Sequence, residues 1–204
     1  MSTEHNELTA AALRVVPVAV RHFAEVGYDG SSMNRIAEDL GMRKASLYGH
    51  FASKEDLFKL CFDGAINEEI QSAIALLDDQ PSGMIPGERY CRSVVRRYST
   101  SPALQLFLRT AYMAPPALAA HVDERFGHYL RELEEGFIAA IRCRLRTETL
   151  PREAAVLKEV YVAFVDSVQV KLVYTNPDLA MHRMDVLQPL LGMFISIEEE
   201  AVPA

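Results

Sequence analysis

Apolar positions in this 204-residue chain recur every three or four residues almost throughout, and no β-branched run alternates in the manner of a half-buried strand. Leu13, Val16, Val20, Phe23 and Ala24 share one predicted helical face, which ends at Gly27. Short helices are predicted over about 33–40 and 44–51, separated by Gly41. Ser53 with Asp56 three residues on forms a capping box for a helix running to about 79, interrupted only by Gly64. Residues 80–87 hold two Pro and two Gly and read as a loop. A helix over about 88–99 follows, and Ser101-Pro102 then reads as an N-cap with Pro at the first helical position of the next, to about 113. Pro115-Pro116 stops it. Further helices are predicted over about 117–146, from Pro151 to about 174 and, after Asn176-Pro177, over about 178–197. The expectation is an all-α protein of about nine helices without internal repeat.

The composition suits a packed domain: 50% hydrophobic and 24% charged residues, in a chain long enough to bury about 70% of its extended surface without staples. The net charge of −7 argues against a protein that coats nucleic acid along its whole length. That charge is unevenly shared. Residues 1–62 hold seven Lys/Arg against eight Asp/Glu, and residues 63–204 hold fourteen against twenty, so two parts with different partners are indicated. Three cysteines, Cys61, Cys91 and Cys143, carry no metal-binding spacing and read as buried, reduced thiols. The N-terminus lacks the character of a secretory leader, and Asp166, Gln169 and Lys171 interrupt the longest apolar stretch, so a cytoplasmic protein with no membrane partner is expected. Sequence signatures of hydrolases, zinc proteases and nucleotide-binding loops are absent. The expectation is therefore not an enzyme, with no cofactor and no metal. His121 and His128 share a helical face, but a convincing metal site needs three or four converging ligands.

Two short helices around Gly41 suggest a helix-turn-helix. Ile36, Leu40, Leu47 and Phe51 form its inner face, and Ala37 is small where two helices approach. The longer string FAEVGYDGSSMNRIAEDLGMRKASLYGHFASKEDLF resembles the TetR (tetracycline-repressor) family of bacterial transcription regulators. The elements that carry the likeness are Phe23, Gly27-Tyr28, Ser32, Ile36-Ala37, Gly41, Leu47-Tyr48, Phe51 and Ser53-Lys54-Glu55. The motif covers about residues 12–58, and the rest of the chain matches only in its helical architecture.

The resemblance implies that the helix containing residues 44–50 lies in the major groove, with Arg43, Lys44, Ala45 and Ser46 facing base edges. Arg43 or Lys44 would bond guanine, Ala45 would touch a thymine methyl, and Ser46 would bond a base or a phosphate. It also implies that Ser32, Tyr48, His50 and Lys54 contact the phosphate backbone, which sets register rather than sequence. Three departures stand out. Arg43 replaces the usual Ser or Thr cap, Gly49 replaces an aromatic or His, and Pro17 interrupts the first helix.

By the same resemblance, residues 1–52 form the DNA-binding domain, and residues 53–204 a ligand-binding and dimerisation domain whose first helix links the two. The implied function is a ligand-responsive regulator, expected to be a repressor, that binds a palindromic operator in double-stranded DNA as a homodimer and is released by a small-molecule effector. Phe62, Phe107, Tyr112, Phe126, Tyr161, Phe164 and Gln169 are the candidate pocket residues, although core packing uses the same types. Asp166, Ser167 and Gln169 fit either polar handles in that pocket or a network at a dimer interface. Val156, Val160, Ala163, Ser167 and Val170, with Leu187, Leu190, Leu191 and Phe194, are the expected pairing surfaces. An enzyme is the rival reading and a helical adaptor that has lost DNA binding a third; Arg43, Lys44 and Lys54 argue against the adaptor.

Overall fold

A computed structural model describes residues 10–79, 81, 83–145 and 154–201. The helices among them are α1 (Ala10–Gly30), α2 (Met33–Asp39), α3 (Lys44–Tyr48), α4 (Lys54–Asp78), α5 (Glu88–Tyr98), α6 (Pro102–Tyr112), α7 (Ala119–Leu145), α8 (Ala154–Tyr174) and α9 (Pro177–Ala201), with a 3-10 turn at Pro116–Leu118. No strand occurs among the described residues. The all-α expectation holds, and the predicted caps are present: Ser53 Oγ accepts from the Asp56 amide, and Ser101 Oγ from the Leu104 amide. Pro151 lies outside the described residues.

Two expectations for α1 need correction. Its buried strip is Val15, Ala19, Phe23 and Ala24, whereas Leu13 is 58% exposed and Val16 and Val20 only flank the core. The reason is helix–helix approach: α1 packs against both α4 and α6, and the small Ala19 sits where large side chains would hold the helices apart. The break in α1 falls at Gly27 (φ 72°), not at Pro17; every other residue keeps helical dihedrals. Pro17 and Leu13 both face solvent, so the carbonyl that Pro17 leaves without a donor is on the wet side of the helix.

α4 organises the remainder. Leu57, Phe58, Cys61, Phe62, Ala65, Ile66, Glu69, Ile70, Ala73 and Leu77 make one buried stripe along it. α1, α5, α6 and α7 pack around this helix, and α8 and α9 pack against each other and against α5. A ladder of rings runs through the centre: Phe23 and Tyr28 meet Phe58 edge-on, Phe58 stacks on Phe62, and Phe62, Phe107 and Phe126 continue it to Tyr129. Cys61 and Cys91 are buried as expected, but Cys143 is exposed.

Candidate nucleic-acid interface

The turn between α2 and α3 is built by glycine chemistry. Gly41 adopts φ 63°, its amide donates to the Glu38 carbonyl (2.9 Å), and the Met42 amide donates to the Ala37 carbonyl (3.0 Å). This pair of bonds closes the end of α2 in a Schellman motif. Ile36, Leu47 and Phe51 are buried beneath the turn and Leu40 is partly so, as the pattern predicts. At the start of α2 the Ser32 hydroxyl accepts from the Arg35 amide (3.3 Å), which leaves its own O–H proton available.

α3 is shorter than predicted. It ends at Tyr48, and Phe51 lies beyond it. Gly49 caps the helix with right-handed φ −70°. It therefore carries no interior-helix penalty of the kind its type suggests. Arg43 occupies the N-cap and makes no side-chain cap bond, since a guanidinium has no acceptor to offer the amides of the first turn. Arg43, Lys44, Ala45, Ser46, Tyr48 and His50 are all exposed, while Leu47 alone anchors the helix. The Lys44 ammonium lies 5.6 Å from the Tyr48 ring centre, a contact one helical turn long.

Lys54 is placed differently from its neighbours in the motif. Its ammonium donates to the carbonyls of Tyr28 (2.8 Å) and Ser31 (3.2 Å) and lies 4.1 Å from the Tyr28 ring centre. It is thus turned onto the α1–α2 junction. His22 Nε2 and Asp39 Oδ2, 2.7 Å apart, tie α1 to α2 a second time. Arg35, exposed on α2, adds a cation to the unit that the pattern did not single out.

The seven candidate pocket residues do not form one group. Phe62, Phe107, Phe126 and Tyr112 belong to the aromatic ladder. Tyr161 stacks flat on Phe137, centroids 4.1 Å apart. Phe164 faces a groove between α8 and α9, lined also by Val160, Ser167, Leu187 and Leu190. Gln169 is buried within a polar chain in which it donates to the Tyr129 hydroxyl. Tyr129 in turn bonds Tyr90 (2.7 Å), and the Tyr112 hydroxyl lies 2.8 Å from Asp166 and 3.1 Å from Gln169. Burial and the Asp166 carboxylate both push the Tyr112 phenol up. Ser167 accepts instead from Arg183 (2.6 Å). A sequence signal for this polar interior was available: Glu69 falls on the same α4 face as Ile66, Ile70 and Ala73, where a lone carboxylate demands a partner.

His121 and His128 do not converge. His121 pairs with Asp63 (2.9 Å), and His128 faces Glu132 (3.6 Å). No group of three metal-binding side chains occurs among the described residues. No helix among them is long and apolar enough to cross a membrane.

Residues 16–61 match the family described as bacterial regulatory proteins, tetR family. Over 54 residues the chain is 41% identical to the biofilm operon icaADBC HTH-type negative transcriptional regulator IcaR of Staphylococcus aureus (strain Newman), covering 24% of this chain and 29% of that protein. IcaR of Staphylococcus epidermidis is 30% identical over 125 residues, 59% of this chain and 61% of its own. In both cases the match spans less than two thirds of the relative. A TetR transcriptional regulator from Chloroflexus aurantiacus superposes with TM-score 0.71 at 20% identity, covering 88% of this chain and 93% of that one. AibR, solved in complex with isovaleryl coenzyme A and operator DNA, gives TM-score 0.59 at 20% identity over 89% and 96%. Residues 16–61 thus carry the N-terminal helix-turn-helix of the tetR family of bacterial regulatory proteins, and the fold of the whole chain is similar to that of solved TetR regulators.

Proposed function

We propose that this protein is a homodimeric repressor that binds a palindromic DNA operator and is released by a small-molecule effector. The observation that carries the reading is the presentation of α3. Arg43, Lys44, Ala45 and Ser46 stand exposed at the front of a helix pinned by the buried Leu47. Such a helix end is suited to base edges in the major groove, and Tyr48, His50 and Ser32 flank it where phosphates would pass. That IcaR is a negative regulator supports repression.

One α3 covers a single half-site, so two copies about 34 Å apart are needed for a palindrome. The pairing surface proposed is α8 with α9, whose Val156, Val186, Leu190 and Met193 are exposed in a single chain. Together with the Val160–Ser167 face they would close a four-helix bundle about the two-fold axis. Leu191 is buried within its own subunit and drops out of that surface. The side chain of Phe194 lies outside the described residues.

The effector reading rests on the ring ladder and polar chain between α4, α6, α7 and α8, and on the ligand-bound state of AibR. α4, about 37 Å long, is the covalent link from this region to α3. An effector that prefers the altered α4 tilt would shift the spacing of the two α3 helices; one with equal affinity for both states would not.

The test is enrichment of duplexes from a random-sequence pool by the purified protein, followed by footprinting and sedimentation. A symmetric enriched site bound by a dimer is expected. Enrichment of no sequence sinks the DNA-reading proposal, and a monomer on a half-site sinks the dimer.

A further inference from the structure

Lys54 is the one motif cation whose charge is already engaged inside the protein. Its ammonium draws together three elements: the start of α4, the end of α1 through the Tyr28 carbonyl and ring, and the approach to α2 through the Ser31 carbonyl. The socket is itself held. Phe58, one turn along α4, meets the Tyr28 ring edge-on at 5.1 Å. Ser31 is buried, and its hydroxyl donates to the Gly27 carbonyl (2.7 Å). Two of the three N–H donors of Lys54 are committed to carbonyls and its cation rests on a π face, with no carboxylate among the described residues paired to it.

We propose that Lys54 is a positioning residue that sets the angle of the α2–α3 unit on α4, rather than a contact to the phosphate backbone. α2 begins two residues after Ser31, and the Schellman turn at Gly41 joins α3 rigidly to α2. The ammonium therefore fixes, through one short turn, the direction in which Arg43 and Lys44 project. This inference rests on the reading that α3 meets DNA.

The roles separate in the kind of DNA affected. A phosphate contact serves operator and random DNA alike and adds about 0.9 to the salt slope for each phosphate neutralised. A positioning contact serves only the DNA whose bases are read. Lys54→Met, Tyr28→Leu and Tyr28→Phe are compared with the unaltered protein on a duplex enriched by it and on a random duplex, across a salt series. The expected result is that Lys54→Met and Tyr28→Leu each lower the enriched-to-random affinity ratio by about tenfold, equivalent to about 1.4 kcal/mol. The salt slope stays unchanged, and Tyr28→Phe, which keeps the ring face, is neutral. Equal weakening on both duplexes with a reduced slope overturns the proposal, as does a Tyr28→Leu protein that discriminates normally. Amide exchange provides a readout without DNA. Faster exchange over residues 33–39 in Lys54→Met, with residues 66–78 unaffected, supports the clamp, and no change there overturns it. Failure to enrich any duplex would count against the DNA-reading proposal, and the exchange result would still decide the clamp.

Discussion

Arg97 on α5 and Glu69 on α4 face each other fork to fork: both guanidinium Nη atoms lie 2.9 Å from the two carboxylate oxygens. Glu69 is 2% exposed. Burial raises its carboxyl above the usual glutamate range, and the bonds from Arg97 oppose that rise without cancelling it. Replacing Arg97 by Met leaves the buried carboxylate without its cation, with the Tyr90 hydroxyl as its remaining partner. With allowance for the partial exposure of Arg97, the expected loss is about 2–3 kcal/mol at neutral pH by urea unfolding. A carboxyl with a raised native pKa stabilises the fold fully below its unfolded pKa, and that contribution is lost as pH rises through the native value. Arg97→Met raises that value further. Its deficit should therefore widen from acid toward neutral pH; a deficit that narrows would refute the assignment.

Gly64 is exposed on α4, and a Cβ built there meets nothing within 4 Å. Close packing does not require this glycine. Gly64→Ala should stabilise the protein by about 1 kcal/mol, the difference in helix propensity. If the effector acts by bending α4 here, the same variant alters the ratio of DNA affinities with and without effector, and an unchanged ratio makes α4 a rigid connector.

Gly87 and Gly83 both have positive φ, 81° and 87°. Only Gly87 is crowded: a Cβ there would collide with the Tyr161 ring. Gly87→Ala should cost about 2–4 kcal/mol, combining overpacking with backbone strain, against about 1 kcal/mol for Gly83→Ala. Equal losses in thermal melts would mean that Tyr161 moves aside freely.

Leu190 and Leu191 are adjacent on α9 but differ in environment, 52% and 2% exposed. Leu190→Arg is expected to give a helical monomer by sedimentation at micromolar concentration. Leu191→Arg should unfold the chain by placing a charge in its core. A Leu190→Arg dimer would locate pairing elsewhere.

Arg43→Ala and Lys44→Ala should each relax base preference at one position of the site, since a bidentate base contact discriminates by about 1–3 kcal/mol. Competition binding with single-base variants of the enriched duplex measures this. Unchanged preference in both would assign reading to Ser46 or to DNA shape.

The helix order and the helix-turn-helix unit were legible because their signals are local: the Ser53 and Ser101 caps, the prolines between helices, and Gly41 where the chain must turn left-handed. What escaped depends on contacts remote in sequence. The inward strip of α1 runs through Ala19 because α4 and α6 come close, which hydrophobic size alone misassigns to Leu13 and Val16. The Lys54 ammonium finds carbonyls 23 and 26 residues earlier in the chain, and spacing along a motif carries no sign of that. Tyr161 and Phe164 read as pocket companions of Phe107, yet the helices packed on α8 claim each ring separately: Tyr161 stacks on Phe137 of α7, and Phe164 lines the groove toward α9.

The double seating of α1 has a bearing on engineering. Its buried strip is shared between α4 and α6, and Arg109 of α6 donates to the Ala24 carbonyl at 2.6 Å. A chimera that transplants only residues 1–52 onto another regulator would bring Val15, Ala19 and Phe23 to foreign helices and leave the Ala24 carbonyl without its arginine. On the proposed function, operator specificity is therefore more safely exchanged by rewriting the exposed surface of α3 than by swapping the whole N-terminal module.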